Sequence, residues 1–528
     1  MARTHLARAI GAMFAERGDA GRLSRRAFLA GGTALGVGAL ALGSLPAAAA
    51  TRQRIVIVGA GISGLAAALA LRDNGITASV YEANRRVGGR MFSTVPGSYW
   101  ASGQVSEWGG ELIDTDHTVI QDLATRFHLP LDDLQAAMPP DATDTYRFHG
   151  HYYPYAQAKA DFEPVYTALQ KDLASFDYPV TYDSDASPAG IALSNMTAYD
   201  WIETRVPGGH RSLFGQLLDV AYTIEFGAQT TAQTALGLIG LLGYQNAPGD
   251  FDMFGTSDER YHIRGGNQQL PKAIAAALPP GTISLGWRLT AVAVNPDNTQ
   301  TLTFTVDGAT RTVTADHTIL AVPLGVMKRI DFSRARFDAR KRGAYAAMPM
   351  GVNGKLQLQF DARLWSGTGA WPGRSTGETY ADTGYQNTWD VSRAQPGPHG
   401  ILVDFLGGDV AASFTPGHAF GSSEDPVIRA YARRFLGQIE PVYPGLSALW
   451  NGKALLSTWY LNPYSYGSYS YWPTGYCQHY AGYEGVRQGN VHFAGEHCSV
   501  DYQGYMEGGA EEGQRAAAEV IADLAGNQ

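Results

Sequence analysis

Cysteine is nearly absent from this chain, with only Cys477 and Cys498 among 528 residues, which excludes a disulfide-rich scaffold. A single bridge between them stays open. The two cysteines stand apart without a histidine cluster beside them, so no metal site is expected. Past residue 50 there is no apolar run long enough to cross a bilayer, and there is no internal repeat or low-complexity segment. Acids outnumber basic residues, 49 to 40, for a net charge of −9. That balance repels nucleic acid and mildly favours small cations, although most such charge is solvated surface. No catalytic triad and no pair of catalytic carboxylates stands out.

The first 50 residues are set aside from the fold. Ser24-Arg25-Arg26-Ala27-Phe28-Leu29 precedes an uncharged stretch over 27–50 that ends in Pro46 and four alanines, the pattern of a twin-arginine export signal. A membrane anchor is the competing reading, but Gly31, Gly32, Gly36, Gly38 and Gly43 lower the hydrophobicity. Cleavage is expected near Ala48 to Ala50. This segment carries six arginines and two acids, a net +4, so its loss takes −9 to −13. The expected location is periplasmic or extracellular, with no membrane span in the mature chain. The roughly 478 remaining residues are too many for one core and suit two or three domains.

What is present is more specific. Ile55 to Val58 is a β-branched run of strand length, followed by Gly59-Ala-Gly61-Ile-Ser-Gly64 and a helical pattern from Leu65 to Asp73. Glycines there permit a tight turn and close approach of the backbone to a pyrophosphate, which the helix N-terminus then faces. Glu82 follows Gly64 by 18 residues, near the ~20 expected for an acid that binds a ribose hydroxyl. The glycine pattern alone is weak, but strand, glycines, helix, second strand and acid in order specify a bound dinucleotide. Arg86, Gly88, Gly89 and Arg90 point to FAD rather than a nicotinamide.

A helix is predicted over Thr118 to Phe127. Phe162, Val165, Tyr166, Leu169, Leu173 and Phe176 recur at helical steps, Thr197 to Asp200 reads as a capping box, and Leu213 to Leu242 continues the apolar pattern. Arg264 to Leu270 opens a short helix, and β-rich sequence covers Leu289–Val294, Thr301–Val306 and Arg311–Val322. Lys355 to Phe360 alternates as a half-buried strand does. A final strand is expected within Asn490–His497 and a helix over Gly504–Leu524. The fold class is therefore α/β: a Rossmann-like FAD-binding domain from residues 51–116, 258–330 and 456–528, and a discontinuous α+β substrate-binding domain with a helical part from 117–257 and 331–455.

Over essentially the whole mature chain these residues resemble the flavin monoamine oxidase family, which includes amine, polyamine and L-amino-acid oxidases. The resemblance rests on the glycine motif, Glu82-Ala83 with Arg86 to Arg90, Gly265-Gly266, Ala321-Val-Pro-Leu324, Lys355, Trp459, Gly495-Glu-His497 and Gly504-Tyr-Met-Glu-Gly508 running into Glu511-x-Gly513. It implies that Glu82 holds the adenosine ribose, Arg86 and Arg90 lie by the pyrophosphate and flavin, and Val292 contacts the adenine side through its backbone. Glu496 would reach the phosphate or ribityl chain and the Met506 N–H the isoalloxazine. Gly59, Gly61, Gly64, Ala83, Gly89, Trp459 and Gly495 complete the implied cofactor set. Lys355 would hold a water against flavin N5, where an isolated lysine on such a strand would otherwise face solvent. Tyr469 and Tyr505 match a cage of two rings in front of the flavin. Ser468 occupies the place of the cysteine that carries flavin covalently in the mitochondrial enzymes, so noncovalent FAD is expected.

The implied reaction takes hydride from an amine-bearing carbon, gives an imine that hydrolyses to a carbonyl compound and ammonia, and passes electrons to oxygen as hydrogen peroxide. Expected partners are a primary amine or L-amino acid and oxygen, and a homodimer is allowed. An amino-acid substrate calls for a buried arginine. After Gly109-Gly110, where vertebrate-type L-amino-acid oxidases offer an arginine, this chain has Glu111 and Asp114. These acids either suit an amine or basic amino acid or simply cap the following helix. Arg264, Arg363 and other arginines remain as candidate carboxylate anchors. The alternative is a desaturase or porphyrinogen-oxidase-like enzyme with a lipophilic substrate, which shares the first FAD motif.

Overall fold

The computed structural model describes residues 53–526; the expected export signal lies outside them. Strand Ile55–Val58 forms as predicted and lies inside a five-stranded sheet with the order Val491–Phe493, His317–Leu320, Ile55–Val58, Ala78–Glu82, Ile283–Leu285. Every pairing is parallel. Such a sheet is covered on both faces, which is why Ile55 to Val58 reads as an unbroken apolar run rather than an alternating one. Ligands in open sheets of this kind bind beyond the carboxyl ends of the strands.

The first helix, Ile62–Asp73, begins three residues before the predicted Leu65, with Gly61 at its N-cap. Gly64 therefore lies within the first turn instead of ending the preceding loop. Its place is steric: a Cβ there would stand 2.0 Å from the Gly59 carbonyl oxygen. Gly59 itself has φ +105°, a conformation that a side chain disfavours. The C-terminal helix, Met506–Gly526, packs across this first helix, and a Cβ on Gly513 would fall 2.1 Å from the Ser63 carbonyl oxygen.

Beside this sheet lies a four-stranded one, ordered Ala309–Ala315, Gln300–Val306, Trp287–Val294, Asp331–Arg334. The largest sheet has eight strands: Phe420–Ser422, Trp450–Thr458, Asn353–Phe360, Gly400–Gly407, Asn387–Asp390, Arg374–Ala381, Ala142–Phe148 and His151–Tyr153. Strand Trp450–Thr458 runs unbroken through residue 456, and Asp331–Arg334 pairs with Trp287–Val294.

Strand Asn353–Phe360 corrects the half-buried expectation, because every residue of it is buried. Leu356, Leu358 and Phe360 enter an apolar core. The alternate face meets protein instead of water: Gln357 Nε2 donates to the Glu107 carbonyl at 3.0 Å and Gln359 Nε2 to Gln104 Oε1 at 2.8 Å. Alternation here separates two buried environments.

The helical region forms largely as read. Tyr155–Leu173 buries Phe162, Val165 and Leu169, and Thr197 caps Ala198–Arg205 by accepting from the Asp200 N–H. The Leu213–Leu242 stretch breaks into Leu213–Phe226 and Ala235–Leu242 at Gly227, whose φ of +62° ends the first helix. Cys477 and Cys498 are both buried and are not joined in a disulfide.

Replacing Gly513 by valine should force the C-terminal helix away from Ser63 at a cost of about 1–3 kcal/mol. A lower melting temperature together with reduced flavin content after purification is the expected result; an unchanged melt would show that the two helices part freely.

Candidate functional site

A cavity of about 510 Å³ opens at the carboxyl ends of the parallel strands and extends to the eight-stranded sheet. Gly59, Gly61, Glu82, Ala83, Arg86, Gly89, Arg90, Trp459, Gly495, Glu496 and Met506 all line it, as do Lys355, Tyr469 and Tyr505. Two expected residues do not. Gly64 is packed behind the turn, and the Val292 side chain is buried while Trp287, Arg288, Leu289 and Thr290 of the same strand reach the cavity.

At the dinucleotide end, Glu82 is fixed by its neighbours: Oε2 accepts from the Ala60 N–H and Oε1 from the Asn84 N–H, each at 2.7 Å. Arg86 donates to the Val87 and Gly89 carbonyls and stacks 3.9 Å from the Phe92 ring centre. Burial lowers its pKa to about 10, so it stays charged at neutral pH. Ser63, in the first turn of the glycine-capped helix, lines the cavity and has a buried Oγ without a partner among the described residues. An orphaned hydroxyl beside free helix N–H groups and two arginines fits a bound pyrophosphate.

Glu496 is the junction of the site. Its carboxylate takes Arg90 Nη1 at 2.9 Å, Ser470 Oγ at 2.8 Å and the Gly504 N–H at 3.1 Å. Burial opposes its charge, but the Arg90 guanidinium outweighs this and keeps the carboxyl below its usual range. Arg90 also donates to the Ser468 carbonyl at 2.7 Å, and Ser468 Oγ donates to Asn353 Oδ1 at 2.6 Å. The two tyrosines follow from these anchors. Tyr469 packs against Gly504, whose added Cβ would touch the ring at 3.5 Å, and its hydroxyl donates to the Glu225 carbonyl. Tyr505 packs edge-on against His117 at 4.8 Å, with its hydroxyl 3.3 Å from Ser257 Oγ.

Lys355 does not face solvent. Its Nζ donates to Glu111 Oε2 at 2.7 Å and to the Gly109 carbonyl at 2.9 Å, leaving one hydrogen. Trp389 Nε1 donates to Glu111 Oε1 at 3.0 Å. Burial alone would raise the Glu111 pKa; the Lys355 ammonium reverses that and lowers it. Glu111 is thus the counter-ion of Lys355. Asp114 accepts from Ser257 Oγ and the Glu259 N–H. Neither acid caps the following helix. That task falls to Glu507, whose carboxylate accepts from the Val119 and Ile120 N–H groups at 2.8 and 2.9 Å.

Neither arginine considered as a carboxylate anchor reaches the cavity. Arg264 is largely exposed and paired with Asp132, while Arg363 donates to the His399 and Gln395 carbonyls. The cavity contains Arg393 instead, with Glu225, Glu259 and Glu378. No local pattern marked these four, because they come from a helix, a loop and the far sheet.

The fold also gathers two groups of metal-ligand type. His317 Nδ1 stands 3.3 Å from His492 Nε2, near Asp523, and His492 Nδ1 stands 2.7 Å from Glu519 Oε2. In the other, His117 Nδ1 accepts from the Asp114 N–H at 3.0 Å beside Asp116. Hydrogen bonds within the protein engage His317 Nδ1, both ring nitrogens of His492 and His117 Nδ1.

The family model for flavin containing amine oxidoreductases matches residues 62–521. This chain belongs to that family. It is 23% identical to a mouse (Mus musculus) L-amino-acid oxidase over 487 residues, 89% of this chain and 70% of that protein. It is 25% identical to an L-amino acid dehydrogenase of Synechocystis sp. over 488 residues, 88% and 94% of the two chains. The fold is similar to that of cyclohexylamine oxidase from Brevibacterium oxydans IH-35A, with a TM-score of 0.73 at 24% identity, covering 90% of this chain and 99% of that one. Membership brings a flavin cofactor and an oxidoreductase acting on small amines, and the glycine turn, Ser63 and the two arginines supply a cradle that fits it.

Exchanging Glu111 for glutamine should strand the Lys355 cation and destabilise the protein by about 3–5 kcal/mol. The Glu111→Gln/Lys355→Met pair should recover much of that loss in a denaturation cycle. Additive losses would show that the two side chains do not interact.

Proposed function

We propose that the protein is an FAD-dependent oxidase of primary amines or L-amino acids, with FAD held noncovalently and the enzyme exported in folded form by the twin-arginine route. One observation carries the reading: Lys355, Tyr469 and Tyr505 line the same cavity as the dinucleotide cradle. Within it, Glu82 would hold the ribose, Arg86, Ser63 and the start of helix Ile62–Asp73 the pyrophosphate, and Met506 and Gly495 the flavin end. In this reading the FAD-binding domain comprises 51–116, 258–330 and 456–528 and the substrate-binding domain 117–257 and 331–455. Ser468 supports a noncovalent cofactor, since serine forms no thioether and its hydroxyl is engaged by Asn353.

When bound, the flavin accepts hydride from the amine-bearing carbon and returns the electrons to oxygen as peroxide. The remaining tasks belong to the chain. Tyr469 and Tyr505 form apolar walls between which an amine nitrogen passes, each ring face attracting positive charge. Tyr469 remains protonated, because desolvation pushes its phenol well above its usual range. Lys355 presents its remaining hydrogen to a water or to reduced oxygen, while Glu111 fixes its position. The imine product leaves to be hydrolysed to a carbonyl compound and ammonia. No strong base is required.

Hydrogen peroxide release by the yellow purified protein, screened against primary amines, polyamines and L-amino acids, tests the reading; silence across all three panels with FAD bound would overturn it. Lys355→Met should retain FAD but slow its reoxidation by oxygen in stopped-flow. Unchanged oxygen kinetics would remove that role from Lys355.

A further inference from the structure

The wall of the cavity formed by the helical region and the far sheet is crowded with charge that the proposed reaction does not use. Glu225 comes from helix Leu213–Phe226, Glu259 from the loop before strand Tyr261–Ile263, and Glu378 from strand Arg374–Ala381. All three line the cavity. Arg393, in the turn after strand Asn387–Asp390, lines it with them.

Arg393 is unusual for a buried arginine. Only 9% of it is exposed, yet its one hydrogen bond is from Nε to the Asp390 carbonyl at 3.2 Å, and it forms no ion pair among the described residues. A guanidinium offers five N–H donors in a rigid fork, so the carboxylate-facing edge of this one is unfilled. Glu378 accepts from the Tyr380 hydroxyl at 2.8 Å rather than from Arg393. Arg393 attracts Asp144, Glu259 and Glu378 through space, yet no carboxylate hydrogen-bonds its fork among the described residues, so the fork in the cavity wall is open to a ligand carboxylate.

The three acids report the opposite need. Burial pushes the Glu225 carboxyl up to about 7 and the Glu378 carboxyl up to about 8, the latter with repulsion from Asp144. Glu259 is raised well above its usual range by burial, then by Glu378, Asp114 and Glu225. Lys355 does not relieve them, because Glu111 occupies it. This wall gains most from a ligand that brings positive charge.

A monoamine with an apolar tail would satisfy neither feature. A diamine would meet the acids and leave Arg393 bare. A neutral amino acid would meet Arg393 and leave the acids repelling one another. We infer that the substrate is an L-amino acid with a cationic side chain, its α-carboxylate held by Arg393 and its side-chain ammonium or guanidinium held by Glu225, Glu259 and Glu378. This rests on the oxidase reading above and narrows its substrate class.

The test compares each amino acid with its decarboxylated form on the purified holoenzyme. Peroxide initial rates are measured for L-arginine against agmatine, L-lysine against cadaverine, and L-leucine against isopentylamine. L-arginine or L-lysine should exceed both L-leucine and the matching amine in kcat/KM by roughly 100-fold, the scale of losing one partner of a buried charge pair. In Arg393→Met the preference for L-arginine over agmatine should collapse, chiefly through KM, and Arg393→Lys should restore part of it. Glu378→Gln should instead shrink the preference for L-arginine over L-leucine. Flavin absorbance confirms that each variant is folded and loaded. Equal turnover of neutral and cationic amino acids, or a preference for the amines, would overturn the inference while leaving the oxidase reading in place. Silence on every substrate would overturn both.

Discussion

The site depends on the buried carboxylate of Glu496. Burial opposes its charge, and Arg90, 406 residues earlier in the chain, pairs with it and helps hold its pKa below the usual range. Through Ser470 and Gly504 the same carboxylate fixes the segments that carry Tyr469 and Tyr505. One ion pair therefore connects the glycine-turn end of the cavity to the segments that carry Tyr469 and Tyr505. Removing either partner would leave an uncompensated buried charge and release both segments.

Close backbone approach is the second constraint. Gly59 and Gly64 allow the first turn to close on itself, and Gly513 allows the last helix to lie against Ser63. The two helices and the strand ends then leave unpaired N–H groups and the Ser63 hydroxyl pointing at one place. Glu507 belongs to the same economy of contacts, since it leaves the C-terminal helix to cap the helix at Thr118–Arg126.

Charge in the cavity is arranged in two zones. Near Lys355 it is closed, with Glu111 and Trp389 completing a small hydrogen-bonded unit. Against the far sheet, Glu225, Glu259 and Glu378 are raised by burial, and Arg393 attracts Glu259 and Glu378 without hydrogen-bonding a carboxylate among the described residues. A closed unit suits a group that must hold one position through repeated turnovers. An open zone suits recognition, where the missing partner is the ligand.

The sequence by itself determined the dinucleotide unit, the family and most of the residues in the cradle, because each of those depends on local spacing: glycines at a turn, a helix behind them, an acid at the end of the next strand. It also carried Lys355 and both tyrosines, through short motifs. It misread what surrounds them. The alternation of Lys355 to Phe360 was compatible with a solvent-facing strand, and only packing against residues 104–111 made both faces interior. The roles of Glu111 and Glu507 were likewise decided by partners 244 and more than 380 residues away. Arg393 and the three acids were invisible for the same reason: a charge becomes a recognition group only when tertiary structure removes its water and withholds its counter-ion, and neither condition is written in the spacing of residues along the chain.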